Sequence, residues 1–286
     1  MPKTLIDTPG SKVRLNAISA EPPRGMTKDK AEKRFATLGR ELFELQDAMF
    51  GAKVHSVLVV LQGRDSAGKD GTIKHVAGCL NPRGVTVSSF GVPTTEEREH
   101  DFLWRVHRQA PRLGEFAIFN RSHYEDVLVV RVHDLAPEKL WQQRYGHIND
   151  FEELLTEHGV IVLKYFLHIT KEEQEQRLLE REKEPGTAWK LNPKDWQERD
   201  YWDEYTAAYE DAIAKTAAPH APWTIVPANS KWYRNLVVAE SIVGALRDHR
   251  KNWEKKLEAM GKAGRAGLAT YRAQLGAKKK IAGKQR

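Results

Sequence analysis

The stretch that most constrains this chain is Val57-Leu58-Val59-Val60-Leu61, followed after Gln62 by Gly63-Arg64-Asp65-Ser66-Ala67-Gly68-Lys69. A strand-sized apolar run feeding a glycine-spaced turn, with a helical stretch over 69–80 behind it, reads as strand, anion-binding loop and helix. Glycine at 63, 68 and 71 permits backbone torsions and close approach that a Cβ would obstruct, so successive N–H groups from Ser66 through Gly71 can face phosphate oxygens. The helix N-terminus adds partial positive charge, and Lys69 adds a full one. The bland alternative is an ordinary glycine-rich strand-to-helix turn.

The residue after Lys69 is Asp70, where loops of this kind usually place a Ser or Thr hydroxyl on Mg²⁺. Inside the loop, Asp65 would repel phosphate unless a divalent cation lay between them, so Asp65 is expected to contact the metal directly or through water. Asp70 reads more simply as a favourable charge in the first turn of the helix.

Beyond the loop, short β-branched runs alternate with helical spacing. Strands are expected at 57–61, 85–90, 116–119, 160–169 and 223–226, with helices at 27–49, 69–80, 94–109, 122–131, 137–158, 171–184, 195–216 and from 231. Strict alternation implies right-handed crossovers and a five-stranded parallel sheet covered on both faces. The expected division is an N-terminal arm and amphipathic helix over 1–50, a catalytic domain over 51–250, and a basic tail over 251–286. One segment breaks the rhythm: PGTAWKLNP at 185–193 has basic flanks, including Arg177, Arg181, Lys190 and Lys194. It reads either as a lid over an anionic ligand, spanning about 177–205, or as a surface loop between helices.

The third strand ends in Phe119-Asn120-Arg121-Ser122-His123-Tyr124-Glu125-Asp126, at the sheet edge where open α/β folds bind ligands. Asn120 and Asp126 are expected to complete a metal shell with Asp65, Arg121 to neutralise a transferring phosphoryl group, and Glu125 to orient the acceptor. Arg83, Asn120, Tyr124 and Glu125 form the candidate nucleotide side, although Arg83 fits an exposed turn equally well. His123 is assigned no role, because no second His or Cys stands at ligand spacing.

The lone cysteine, Cys79, rules out an internal disulfide and fits a reducing compartment. With no secretory-type apolar segment near the start and no apolar run beyond strand length, the expectation is a soluble, cytoplasmic protein that binds neither membrane nor specific nucleic acid. Residues 247–286 carry 13 Lys/Arg against 3 Asp/Glu, +10 of the net +7, so residues 1–246 sum to −3. Such a tail is usually solvated and partly disordered, and its functional reading is an electrostatic tether for a polyanion.

Taken together, GRDSAGKDG at 63–71, FNRSHYEDVLV at 119–129, Arg177 and Arg181 leading into PGTAWKLNPKDW, RDYWDEYTAAYEDAI at 199–213 and PANSKWYRN at 227–235 resemble the polyphosphate kinase 2 family over about 27–250. The resemblance implies a three-layer α/β/α P-loop kinase fold like thymidylate kinase, with a helical lid. It also implies Mg²⁺, or Mn²⁺ in its place, and transfer of a terminal phosphoryl group between inorganic polyphosphate and a nucleotide. By position it implies Asp65 near the metal, Lys69 and Arg121 on phosphates, Arg181 as a lid arginine, and Lys190 and Lys194 along the polyphosphate path. Arg177 falls on the phosphate side of the same motif. Asn120, and Glu125-Asp126 in place of Asn-Arg, resemble the subgroup that accepts AMP as well as ADP; guanine nucleotides are further candidate acceptors, and a homo-oligomer, dimer or tetramer, is implied. The competing readings are an ATP-dependent nucleotide or nucleoside kinase and a non-catalytic polyanion or RNA binder.

Overall fold

The structure, a computed structural model, describes residues 4–186, 189 and 191–282, with side chains to Leu275. In chain order its strands are β1 Thr4–Ile6, β2 Ser56–Gln62, β3 Val85–Ser89, β4 Phe116–Asn120, β5 Val160–His168 and β6 Trp223–Pro227. The helices are α1 Lys28–Ala52, α2 Lys69–Ala77, α3 Thr95–Arg98, α4 Trp104–His107, α5 Val129–Val132, α6 Glu138–Glu157, α7 Lys171–Lys183, α8 Pro193–Gln197, α9 Trp202–Thr216, α10 Lys231–Arg247 and α11 Arg250–Ala282.

The strands lie in the order β1-β6-β5-β2-β4-β3, all parallel except the edge pair β1 and β6. The five expected strands are present, and the sheet has a sixth. Residues 4–6 of the arm, too short to show alternation, pair antiparallel with β6, Ile6 opposite Trp223. Every residue of central β2 is buried, because both faces of the sheet are covered. Val57, Val59 and Leu61 pack with α1, α2 and α10, whereas Leu58 and Val60 pack with α6 and α9. Aligned registers bring the carboxyl ends of β2, β4 and β5 together, Leu61 beside Asn120 and Gln62 beside Phe166. The β2–α2 loop and the Arg121 turn therefore leave the sheet on one edge, with Arg121 N–H donating to the Leu61 carbonyl at 3.1 Å.

Three expected helices are broken. The 94–109 stretch divides into α3 and α4, because the Asp101 carboxylate accepts from Leu103 N–H at 2.9 Å and starts a new turn. Residues 122–131 form a 3₁₀ turn, His123–Val127, before α5, and residues 195–216 pass through α8 and a 3₁₀ turn, Glu198–Tyr201, into α9. The tail, expected to be partly disordered, continues as α11 to Ala282. Among the described residues no helix is long and apolar enough to cross a membrane.

Tyr124, expected on the nucleotide side, is fully buried in the core instead. Its hydroxyl donates to Glu152 at 2.8 Å, lies 3.0 Å from Thr216 Oγ1 and accepts from the Lys164 ammonium at 3.0 Å. Lys164, on β5, also donates to Glu152 at 2.5 Å and the Thr216 carbonyl at 2.6 Å, so this buried charge is paired. The network anchors the 3₁₀ turn from behind and leaves Tyr124 no face toward a ligand.

Candidate active site

The loop between β2 and α2 takes left-handed torsions at Ser66 (φ 62°) and Gly68 (φ 99°). The left-handed torsion at Gly68 favours glycine, and a Cβ there would also have to displace the Arg234 guanidinium. Lys69 folds back over the loop and donates to the carbonyls of Gly63 at 2.6 Å and Arg64 at 3.2 Å. Burial, reinforced by the Arg121 charge and opposed by nearby carboxylates, pushes its ammonium down to about 8.

An open groove of about 530 Å³ lies over this loop, walled by Asp65, Lys69, Asp70, Asn120, Arg181 and Arg234 among others. Arg121, with φ 61°, donates to Asp65 Oδ1 at 2.6 Å and lies 3.6 Å from Glu125. Burial works against its charge, but the Glu125 and Asp65 carboxylates outweigh it and hold the guanidinium firmly protonated. At Glu125 burial wins, and its carboxyl is raised despite Arg121 and Lys69. Glu125 faces a narrower chamber behind the loop, about 30 Å³, closed by Arg64, Arg121, Trp202, Tyr205 and Tyr209. On the groove side, Arg181 donates to Ser66 Oγ and Asp195 Oδ2, each at 2.8 Å, which ties α7 and α8 to the loop. Asn120 donates to Asp70 Oδ1 at 2.9 Å.

Several expected placements change. Asp126 does not reach the groove: its carboxylate lies 3.2 Å from Arg144 and 3.6 Å from Arg105, and Arg144 also holds its carbonyl at 2.9 Å. The expected Asp65–Asp126 metal pair is therefore not formed, and Asp70 stands on the groove in its place. Arg177 is a clamp rather than a phosphate ligand. Its five donors reach Ser66 O (2.9 Å), Ala67 O (3.1 Å), Ala228 O (2.6 Å), Asn229 O (2.7 Å) and Glu173 Oε1 (2.7 Å), which exhausts a guanidinium. Arg83 sits exposed before β3, at the opposite edge of the sheet, 5.7 Å over the Phe50 ring. Lys194 is exposed and outside the groove lining, and Lys190 lies outside the described residues.

Two arginines escaped the sequence reading. Arg64 stacks 3.6 Å over Trp202 and donates to the Trp202 carbonyl at 2.9 Å, tying the loop to the start of α9. Arg234, on α10, is 2% exposed, and its hydrogen bonds go to the Asn235 amide oxygen and, at 3.4 Å, the Ala67 carbonyl. Among the described residues no carboxylate pairs with it; burial, with Arg177 nearby, pushes it down to about 10. The available signal was one cation in a largely apolar stretch of a predicted helix, with Tyr233 before it and Leu236, Val237 and Val238 after it. A buried cation facing a groove without a counter-charge is stabilised when an anion arrives. Arg234→Met should lower kcat/KM on the order of tenfold with an anionic donor, yet leave the melting temperature of the free protein unchanged or higher. A lower melting temperature with unchanged kcat/KM would make Arg234 a structural residue.

Among the described residues no three of His, Cys, Asp or Glu converge as a protein-only metal cage. Asp65 and Asp70 on the groove suit a cation that takes one or two carboxylates and completes its shell with water and substrate phosphate.

Comparison with known proteins gives one answer. The family description polyphosphate kinase 2 matches residues 25–254. An AMP/ADP-polyphosphate phosphotransferase from Meiothermus ruber is 52% identical over 219 residues, 77% of this chain and 82% of that protein. An ADP-polyphosphate phosphotransferase from Rhodopseudomonas palustris is 37% identical over 248 residues, 82% of this chain and 86% of its own. The crystal structure of polyphosphate kinase 2 from Arthrobacter aurescens TC1 superposes with a TM-score of 0.81 at 40% identity, covering 85% of this chain and 88% of that one.

Proposed function

The chain belongs to the polyphosphate kinase 2 family, and from that premise we propose that it moves a phosphoryl group between inorganic polyphosphate and AMP or ADP, forming ADP or ATP by direct transfer. The observation that carries this reading is the groove itself: Lys69, Arg181 and the uncompensated Arg234 surround the loop, a cationic cradle for a phosphate chain. Lys69 exchanges its loop carbonyls for phosphate oxygens, and Arg181, already on Ser66, holds the chain against the loop. Arg121 sits between Asp65 and Glu125, at the join of groove and chamber, where an acceptor phosphate would meet the donor. An oxygen of the nucleotide phosphate attacks the terminal phosphorus in line. The P–O bond to the shortened chain breaks, and the negative charge leaves on that chain. Asp65 and Asp70 would hold the divalent cation, Mg²⁺ in this reading with Mn²⁺ as substitute, which when bound neutralises phosphate oxygens.

Within the same proposal guanine nucleotides are further acceptors, the protein is a cytoplasmic homo-oligomer, and Glu125 orients the acceptor. A panel of AMP, ADP, GMP and GDP with polyphosphate and Mg²⁺ tests the chemistry. ADP and ATP should form from the adenine acceptors, and chelation with EDTA should stop both. Product from ATP as donor but none from polyphosphate would replace this reading with an ordinary nucleotide kinase.

A further inference from the structure

The proposed chemistry leaves one large feature unused. The family match ends at residue 254, yet α11 runs on to Ala282. Trp253, fully buried, donates its indole N–H to His55 Nδ1 at 3.0 Å, and Leu257 packs against the helices below the sheet. From Glu258 to Leu275 every side chain is exposed, with only Gly261 partly covered. From Glu258 to Ala282 the helix extends about 37 Å at 1.5 Å per residue. It leaves from the sheet edge that carries His55, roughly 23 Å, the length of β2, from the phosphate loop.

Its charge is strongly positive. Residues 255–286 hold ten Lys/Arg and one acid, Glu258, or 10 − 1 = +9; the rest of the chain, 7 − 9, is −2. Glu258 already pairs with Lys262 at 2.8 Å. Arg265 and Arg272, two turns apart on one face, have no carboxylate partner among the described residues. Like charges spaced along a helix repel, and a polyanion relieves that repulsion while releasing its own counterions. The apolar residues Met260, Leu268, Tyr271 and Leu275 are interleaved with Gly261, Gly264 and Gly267, too thin a stripe to account for a membrane-seated helix. Pairing with a second copy would bring +9 against +9.

We propose that α11 is a docking arm for long-chain polyphosphate, separate from the groove, which raises the local concentration of donor ends. This rests on the reading of the groove as a polyphosphate site. A long chain can touch arm and groove together, whereas tripolyphosphate cannot, so the arm acts through avidity on long donors alone.

Two variants test it: a chain ending at Leu257, and full-length protein carrying Lys262→Gln, Arg265→Gln and Arg272→Gln. In both, KM for long-chain polyphosphate should rise on the order of tenfold at low salt, with the gap closing at high salt. Turnover at saturation and KM for tripolyphosphate should stay as in the parent. Equal KM values for the long chain, or parallel shifts for both donor lengths, would overturn the inference. Fluorescence anisotropy of labelled polyphosphate on Lys69→Ala protein, with and without residues 258–286, reads the arm without turnover. Arm-dependent binding together with no phosphoryl transfer by the parent protein would sink the activity and keep the arm, and intact transfer by the parent with no arm-dependent binding would do the reverse. Arm-dependent binding of single-stranded RNA but not of polyphosphate would also overturn it.

Discussion

Lys69→Ala is expected to lower phosphoryl transfer by ~10²- to 10³-fold and to leave the fold standing. The ammonium is buried against two loop carbonyls, at 2.6 and 3.2 Å, and in the proposed mechanism exchanges them for phosphate oxygens. Loss of one preorganised charge at developing negative charge costs about 3–4 kcal/mol of transition-state stabilisation. The melting temperature should fall little, because water from the open groove can take over the Gly63 and Arg64 carbonyls and the side chain removed is a cation that burial disfavours. A pH signature accompanies this. Burial pushes the free protein's Lys69 down to about 8, so the charge is present below that pH and lost as pH rises through it. Bound phosphate favours the charged form, so polyphosphate binds best below about 8, and KM climbs above it while kcat, read on the bound enzyme, changes less. Near-normal turnover by Lys69→Ala, or a KM flat from pH 7 to 9.5, would remove Lys69 from the site.

Arg177→Ala produces the other large effect, and it falls on stability as well as rate. All five donors of this guanidinium are spent on Glu173 and on the carbonyls of Ser66, Ala67, Ala228 and Asn229. Truncation leaves buried carbonyls unpaired at about 1–3 kcal/mol each, of which relaxation and water recover a part, for a net loss of about 3–5 kcal/mol. At about 2–4 °C per kcal/mol, the melting temperature drops by roughly 10 °C. Turnover falls with it, since Ser66 and Ala67 are the loop residues being held. Lysine, a single point of donation, should not restore either property. Thermal melts and steady-state kinetics on Arg177→Ala and Lys69→Ala separate the clamp from the ligand: the first loses both properties, the second activity alone. Full thermal stability in Arg177→Ala would refute the clamp.

The strand, loop and helix at 56–77 were legible because three local signals agree there: an apolar run buried on both faces, glycine where torsions are left-handed, and lysine at a helix start. Parallel order followed from the same alternation. β1 was not legible, since three residues show no period and their pairing is set by β6. The carboxylates were harder still. Asp126 and Asp70 both stood near the right edge, but what a carboxylate faces depends on the turn that carries it. Arg121 takes a left-handed torsion and Ser122 is extended before a 3₁₀ turn, so the chain after β4 is redirected and Asp126 meets Arg105 and Arg144. Arginines carry the same ambiguity: Arg177, expected on phosphate, holds backbone, whereas Arg234, unremarked in its helix, reaches the groove. Sequence spacing says where a cation can be, and only its partners say whether it has charge to spare.

The most direct measurement is ³¹P NMR of the protein with AMP, Mg²⁺ and long-chain polyphosphate in nucleotide-free buffer. Direct transfer predicts that the ADP β-phosphate signal grows as interior polyphosphate signal falls, one for one, with no free orthophosphate. Orthophosphate appearing without ADP, or ADP appearing only after ATP is added, would contradict it.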